Sequence, residues 1–313
     1  RAGAPGHILP WREVYTHGPV FSAGTDRGLA ANLRAEALER TLGVPRGTYL
    51  RICREQEETL RGAGRRGEIV FWFENDLFDQ AMLWKLCTEL SGLDVPRLSR
   101  VELGRDDDPY RGFGVLAPEQ LLARLDERSP FDPDALALGR RAWEAYASAD
   151  GAEHMRLLRE NTRALLGLSV AFKAHLARLP SVQDGLGSIE RAALERAAAG
   201  TGASPAELFA HVGGALPELG LGDLEFWHKL ERMTAGPSPL LKADGELRFP
   251  RFNEGMSDSF AMRIFRPTEL GLQALAGTAD GAANRDPEER VGGLRVGDGW
   301  RWDAARSEIA ASL

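Results

Sequence analysis

The chain has 313 residues, 43% hydrophobic and 27% charged, the balance of an ordinary folded protein with room for two or three units. Thirty-nine Lys and Arg stand against 46 Asp and Glu, a net charge of −7, which disfavours a protein that works by neutralising phosphate backbones. Cys53 and Cys87 lack metal-ligand spacing, and the apolar runs are too short to span a bilayer, so the expectation is reduced thiols in the cytoplasm and no membrane partner.

Residue 1 is Arg, and residues 1–6 read as a loop entered from an earlier strand and helix, so a missing N-terminal segment is expected. Residues 8–14 read as a strand, and helical patterns follow over 27–42 and 45–61. The β-branched and aromatic run at 68–73 reads as a buried parallel strand, and it ends at once in Glu74, Asp76, Asp79 and Gln80 before a helix over 81–90. A strand over 98–103 comes next, and Pro118, Glu119 and Gln120 open a further helix. Alternating strands and helices predict an α/β domain over 1–128 with a Rossmann-like parallel sheet. Neither a Gly-x-Gly-x-x-Gly nor a Gly-Lys-Ser/Thr loop is present, so dinucleotide and P-loop binding have no motif behind them.

A turn-rich stretch at 129–133 leads into helix-forming sequence up to Pro180, read as a helical connector over 129–180. The third unit, 181–313, shows helices over 188–199, 204–212 and 222–233, a strand, turn and strand over 240–252, a helix over 267–275 and a hairpin over 293–302. That order is winged-helix-like α+β. Its third helix sets Asp223, Glu225 and Glu231 against His228, Lys229 and Arg232, where a DNA-reading helix would present an excess of donors. A protein contact or homo-oligomer is therefore favoured over nucleic acid as this unit's partner.

Two readings stand for Glu74, Asp76, Asp79 and Gln80. At the carboxyl end of a parallel sheet they form a ligand or catalytic edge whose oxygens suit Mg²⁺, a sugar or a base. Asp76 and Asp79 also fit the N-cap and first turn of a helix, which would leave Glu74 and Gln80 without a role. Arg12 and Glu13 end the preceding strand; with adjacent strands, Arg12 would face Glu74 or a phosphate. His17 is a candidate general base, or a solvated loop residue. Asp106, Asp107 and Asp108 read as a solvated turn, and His154, His175 and His228 as structural or surface residues.

Several of these segments together resemble a known bacterial family. They are Trp11-Arg-Glu-Val14 with Gly18-Pro-Val20, Trp72-Phe-Glu-Asn-Asp-Leu-Phe-Asp-Gln80, Leu116-Ala-Pro-Glu-Gln-Leu121, Phe226-Trp-x-x-Leu230, Gly292-Gly-Leu294 and Trp300-Arg-Trp-Asp303. The chain resembles the domain-of-unknown-function family eighteen thirty-five with its usual C-terminal companion domain. That family favours His where Asn75 stands, a His-Glu pair where Thr16-His17 stands, and an opening strand with an Asn-Gly-Asp-Ser turn that is missing here. The resemblance implies an architecture and no activity. The functional expectation is a small polar, phosphorylated or nucleotide-like ligand at the acidic edge, with hydrolase or transferase chemistry if the protein is an enzyme. The alternative is a ligand-sensing winged-helix regulator or interaction scaffold.

Overall fold

Helix α1 (Arg27–Leu42) begins where the Asp26 carboxylate accepts from Leu29 N, and it ends at Gly43, whose φ of 75° a side chain would resist. α2 (Arg46–Ala63) packs back against it. The computed structural model describes residues 3, 5–63, 67–93, 95–103 and 112–311, which form a mixed α/β fold.

β1 (Glu68–Trp72) crosses through α3 (Leu77–Leu90) to β2 (Arg97–Val101), and the two strands run parallel with Glu68 opposite Arg97 and Trp72 opposite Val101. After α4 (Pro118–Asp126), β3 (Ser129–Pro130) adds antiparallel to β2, giving the order β1-β2-β3. The expected parallel pairing is there, within a sheet of three short strands. The strand expected over 8–14 is not formed. Its backbone bonds to side chains instead: Arg12 N donates to Gln56 Oε1 at 3.0 Å and Arg34 donates to Val14 O at 3.0 Å. Partners supplied by α1 and α2 replace a ladder.

α5 (Pro133–Ala147), α6 (Gly151–Arg159) and α7 (Leu168–Leu176) occupy the stretch expected to connect two units. α5 and α7 both pack on α3, and Trp143, Tyr146 and Phe172 are fully buried with Trp84. One cluster of buried apolar side chains runs from Tyr15 to Trp302 and draws on all three expected units. Hydrophobic burial across 129–180 therefore belongs to the common core.

α8 (Ser188–Ala198), α9 (Pro205–Ala215) and α10 (Asp223–Thr234) follow in the expected order, α9 opened by a capping box between Ser204 and Glu207. The expected strand-turn-strand over 240–252 does not form. β4 (Leu241–Ala243) pairs antiparallel with β5 (Phe265–Pro267) instead. Pro250 has no N–H to give a ladder, and Phe249 packs against Phe260 at 5.2 Å, on the short α11 (Asp258–Ala261). Thr268 then caps α12 (Glu269–Leu275).

The single hairpin expected over 293–302 is two hairpins. β6 (Arg290–Val291) pairs with β7 (Leu294–Arg295), and β8 (Trp300–Asp303) pairs with β9 (Glu308–Ala311). The Gly297-Asp298-Gly299 turn joins them without pairing β7 to β8. A Cβ on Gly293 would stand 2.2 Å from Ala147 O, so close backbone approach demands glycine there. Among the described residues no helix is long and apolar enough to cross a membrane.

Candidate functional site

The sequence-selected residues fall in three places. The first is the acidic edge at the N-terminus of α3. Asp76 Oδ1 accepts from Asp79 N at 2.9 Å, and Asp79 Oδ2 accepts from Glu74 N at 2.7 Å. Gln80 Nε2 donates to Glu74 O at 2.7 Å, and Glu74 Oε1 accepts from Phe113 N at 2.9 Å. Capping accounts for both aspartates, and Glu74 and Gln80 also have partners within the chain.

Backbone from other segments crowds this edge. A Cβ on Gly220 would meet Asp76 Oδ1 at 2.5 Å, and one on Gly167 would meet Asn75 Oδ1 at 2.7 Å. Burial lifts the Asp76 carboxyl to about 6 and the Asp79 carboxyl to about 7, because the charged forms lose solvent and no cation replaces it. Gln80 Oε1 is buried without a hydrogen-bond partner. Among the described residues no three His, Cys, Asp or Glu side chains converge as metal ligands. The aspartates at 106–108 lie outside the described residues.

The second place is a cleft beside Glu13. Arg12 is exposed, and its expected pairing with Glu74 required adjacent strands that residues 8–14 do not form. Glu13 is buried, with Arg34 Nη2 at 2.7 Å, the Tyr49 hydroxyl at 2.5 Å and Val14 N at 2.8 Å. Arg34 also donates to His17 O at 3.2 Å and Pro19 O at 2.6 Å, pinning the loop over α1. Burial works against the guanidinium charge, but the Glu13 carboxylate outweighs it and the Arg34 pKa rises. Burial and the same carboxylate push the Cys53 thiol up to about 12, so it is not a thiolate nucleophile.

Above this ion pair opens a cavity of about 290 Å³, lined by the aromatic groups of Trp11, Tyr15, Tyr49 and Trp143. Lys85 and Arg27 stand on its wall, and the Lys85 ammonium lies 5.2 Å from the centre of the Trp143 ring. A groove of about 330 Å³ between α5 and α6 is slightly larger. Its charges pair with each other as the cleft's do, Arg141 with Glu160 at 2.9 Å, but it has no aromatic wall.

His17 occupies the third place. The Thr41 hydroxyl donates to Ala37 O at 2.8 Å, so it can only accept from His17 Nε2, which lies 2.8 Å away. The His17 ring meets His228 edge-on at 5.1 Å. Burial and the positive charges of His228, Arg178, Arg34 and Lys229 hold its pKa well below the ordinary histidine value. His154 and His175 are fully buried and stacked at 5.4 Å, core residues rather than surface ones.

In the third unit, Phe226 and Trp227 face the core, and Glu225 accepts from the Thr16 hydroxyl at 2.7 Å. Arg248 pairs with Glu254, Arg251 with Glu231 and Arg266 with Asp244, which leaves no basic stripe among them. The residues that sequence reasoning passed over are Arg34, Tyr49, Lys85, Glu89 and Trp143. A signal existed for Arg34, which shares the buried stripe of α1 with Leu38, one turn away. Set against family models, curated proteins and solved structures, the chain has no match.

Proposed function

We propose that the protein binds a small, flat, phosphorylated or nucleotide-like ligand, with the ring in the aromatic cleft and the anionic group toward Arg27 and Lys85. The observation that carries this reading is the cleft itself: about 290 Å³, five aromatic side chains (Phe21 with the four above), a buried Glu13–Arg34 pair and the cations Arg27 and Lys85 in its lining. Its size is at the lower end for small-molecule sites, enough for one ring and its substituent. The hydrogen bonds that Glu74, Asp76, Asp79 and Gln80 make within the chain favour the cleft over the acidic edge as the ligand's place.

The finer fold reading belongs to the same proposal. Support for a Rossmann-like N-terminal unit is the β1-α3-β2 parallel crossover. Support for a winged-helix-like C-terminal unit is the succession of α8, α9 and α10 before β4 and β5. Kinship with family eighteen thirty-five rests on the residues quoted above, and a cytoplasmic setting on two free, buried cysteines. The ion pairs that engage Arg248, Arg251 and Arg266 weigh against the alternative of a DNA-binding regulator.

The test is a tryptophan-fluorescence titration with adenosine monophosphate, since Trp11 and Trp143 line the cleft. Saturable quenching is expected in the parent, weakened about tenfold in Arg27→Gln by loss of a charge-assisted contact. The Asp76→Asn/Asp79→Asn variant should bind as the parent does. Quenching lost in that variant and kept in Arg27→Gln would move the site to the acidic edge.

A further inference from the structure

The lining of the cleft changes character along a chain of contacts. Glu13 pairs with Arg34 at 2.7 Å, and the Arg34 guanidinium lies 5.1 Å from the centre of the Tyr15 ring. Tyr15 meets Trp143 edge-on at 4.9 Å, and Trp143 in turn carries the Lys85 ammonium at 5.2 Å. Two aromatic rings thus stand in succession between the Glu13 carboxylate and Lys85.

Glu13 is only 7% exposed, and it lines the cavity. A carboxylate has about four acceptor positions. On Oε1 both are taken, by Arg34 Nη2 at 2.7 Å and Val14 N at 2.8 Å, while on Oε2 the Tyr49 hydroxyl takes one at 2.5 Å. One position on Oε2 is left to a donor from the cavity. The other carboxylates of the lining are committed to cations, Glu89 to Arg27 and Lys85 and Glu57 to Arg61.

We infer that Glu13 selects the ring of the ligand: the cleft takes an amino-substituted heteroaromatic ring, whose N–H donates to Oε2, ahead of the same ring without that donor. The inference rests on the cleft reading proposed above and concerns the end of the ligand away from its anionic group. A ring that brings no donor leaves a desolvated carboxylate oxygen with an open position, and affinity is lost. Ligands that share one phosphoryl group feel Arg27 and Lys85 alike, so those cations cancel from the comparison.

The experiment is calorimetric titration of the full chain with adenosine monophosphate and with its 6-methylpurine counterpart, in which a methyl of similar size replaces the amino group. The parent should bind adenosine monophosphate about tenfold more tightly, near the low end of what a hydrogen bond to a charged group contributes. In Glu13→Gln, Arg34 and Val14 N still donate to Oε1, which turns the amide NH₂ toward Tyr49 and the cavity. A donor then faces the ligand where an acceptor stood, and the preference should fall to about one. The unpaired Arg34 charge that this leaves acts on both nucleotides alike. Asp76→Asn/Asp79→Asn should keep the parent's ratio.

Equal affinities in the parent, or an unchanged ratio in Glu13→Gln, would overturn the role of Glu13 while leaving the cleft a ligand site. A ratio that falls in Asp76→Asn/Asp79→Asn and not in Glu13→Gln would overturn it and move the site to the acidic edge. No binding of either nucleotide to a parent that melts cooperatively would overturn the cleft reading itself. Should Glu13→Gln not fold, Glu13→Asp keeps the charge and draws the carboxylate back by one methylene. The preference should shrink there too, and a ratio equal to the parent's would overturn the role.

Discussion

Glu13 and the Asp76–Asp79 pair are both buried carboxylates, and they are stabilised in opposite ways. Glu13 is met by a cation: Arg34 lies 2.7 Å away, and the Tyr49 hydroxyl donates to its second oxygen. Asp76 and Asp79 receive only backbone N–H groups, and burial raises them to about 6 and 7, so the proton takes the place of a cation. A buried carboxylate with a cation belongs to a fixed electrostatic scaffold. One without a cation becomes a titrating group within the physiological range. The floor of the cleft is the first kind and the N-terminus of α3 is the second.

The largest effect should come from breaking the scaffold. Arg34→Met strands the Glu13 charge and leaves the carbonyls of Val14, His17 and Pro19 without this donor. Losing one partner of a buried ion pair costs about 3–5 kcal/mol. Urea unfolding should register that loss, and adding Glu13→Gln to the same chain should recover part of it. If the double variant is no more stable than Arg34→Met alone, the stranded charge is not the cause.

Asp76→Asn/Asp79→Asn probes the other half of the comparison, because Asn keeps the acceptor oxygens and removes the titration. In the parent both carboxyls hold protons up to about 6 and 7, against 3.8 for an ordinary aspartate. Their contribution to stability is complete below 3.8 and is lost as pH rises through 6 to 7. The variant should escape that loss and exceed the parent by about 2–4 kcal/mol at pH 8, with the advantage shrinking toward pH 5. Melting curves that run parallel from pH 5 to pH 8 would mean that the aspartates are charged throughout.

Local signals carried the helices. Pro118, the Ser204-Pro205 start and the Asp76 cap mark helix beginnings that depend on a few neighbouring residues, and α1 through α3 stand within a few positions of the expected patterns. Strand pairing was far less legible. Residues 8–14 have strand-like composition, yet Arg34 and Gln56 take the backbone groups that a neighbouring strand would need. Leu241 pairs with Pro267 across a long excursion that no turn motif announces. Glu13, expected at a sheet edge, instead lines the cleft, and its partner Arg34 lies 21 residues on, in α1. Trp143 completes the wall from a helix whose sequence looked like a spacer. Such convergence is set by packing, and local periodicity does not encode it.

The smallest effect sharpens the contrast on the acid side. His154 is the mirror image of the aspartates: burial lowers it from 6.5 to about 4, so it stays neutral in the fold where an unfolded histidine would charge. Its Nε2 lies 3.0 Å from Ser148 O and donates there, since a carbonyl can only accept. A lowered histidine contributes stability that is complete above 6.5 and lost as pH falls through 4, opposite in sign to the aspartates. His175, stacked on it and also lowered, acts in the same direction. His154→Gln preserves a donor toward Ser148 and cannot charge. It should cost some stability at pH 7 through lost stacking and regain about 1–2 kcal/mol relative to the parent between pH 6.5 and pH 4. The measurement is the slope of unfolding free energy against pH over that interval, which should be shallower in the variant. An unchanged slope would place the acid sensitivity in His175 or in His17, whose ring is lowered by burial and surrounded by His228, Arg178, Arg34 and Lys229.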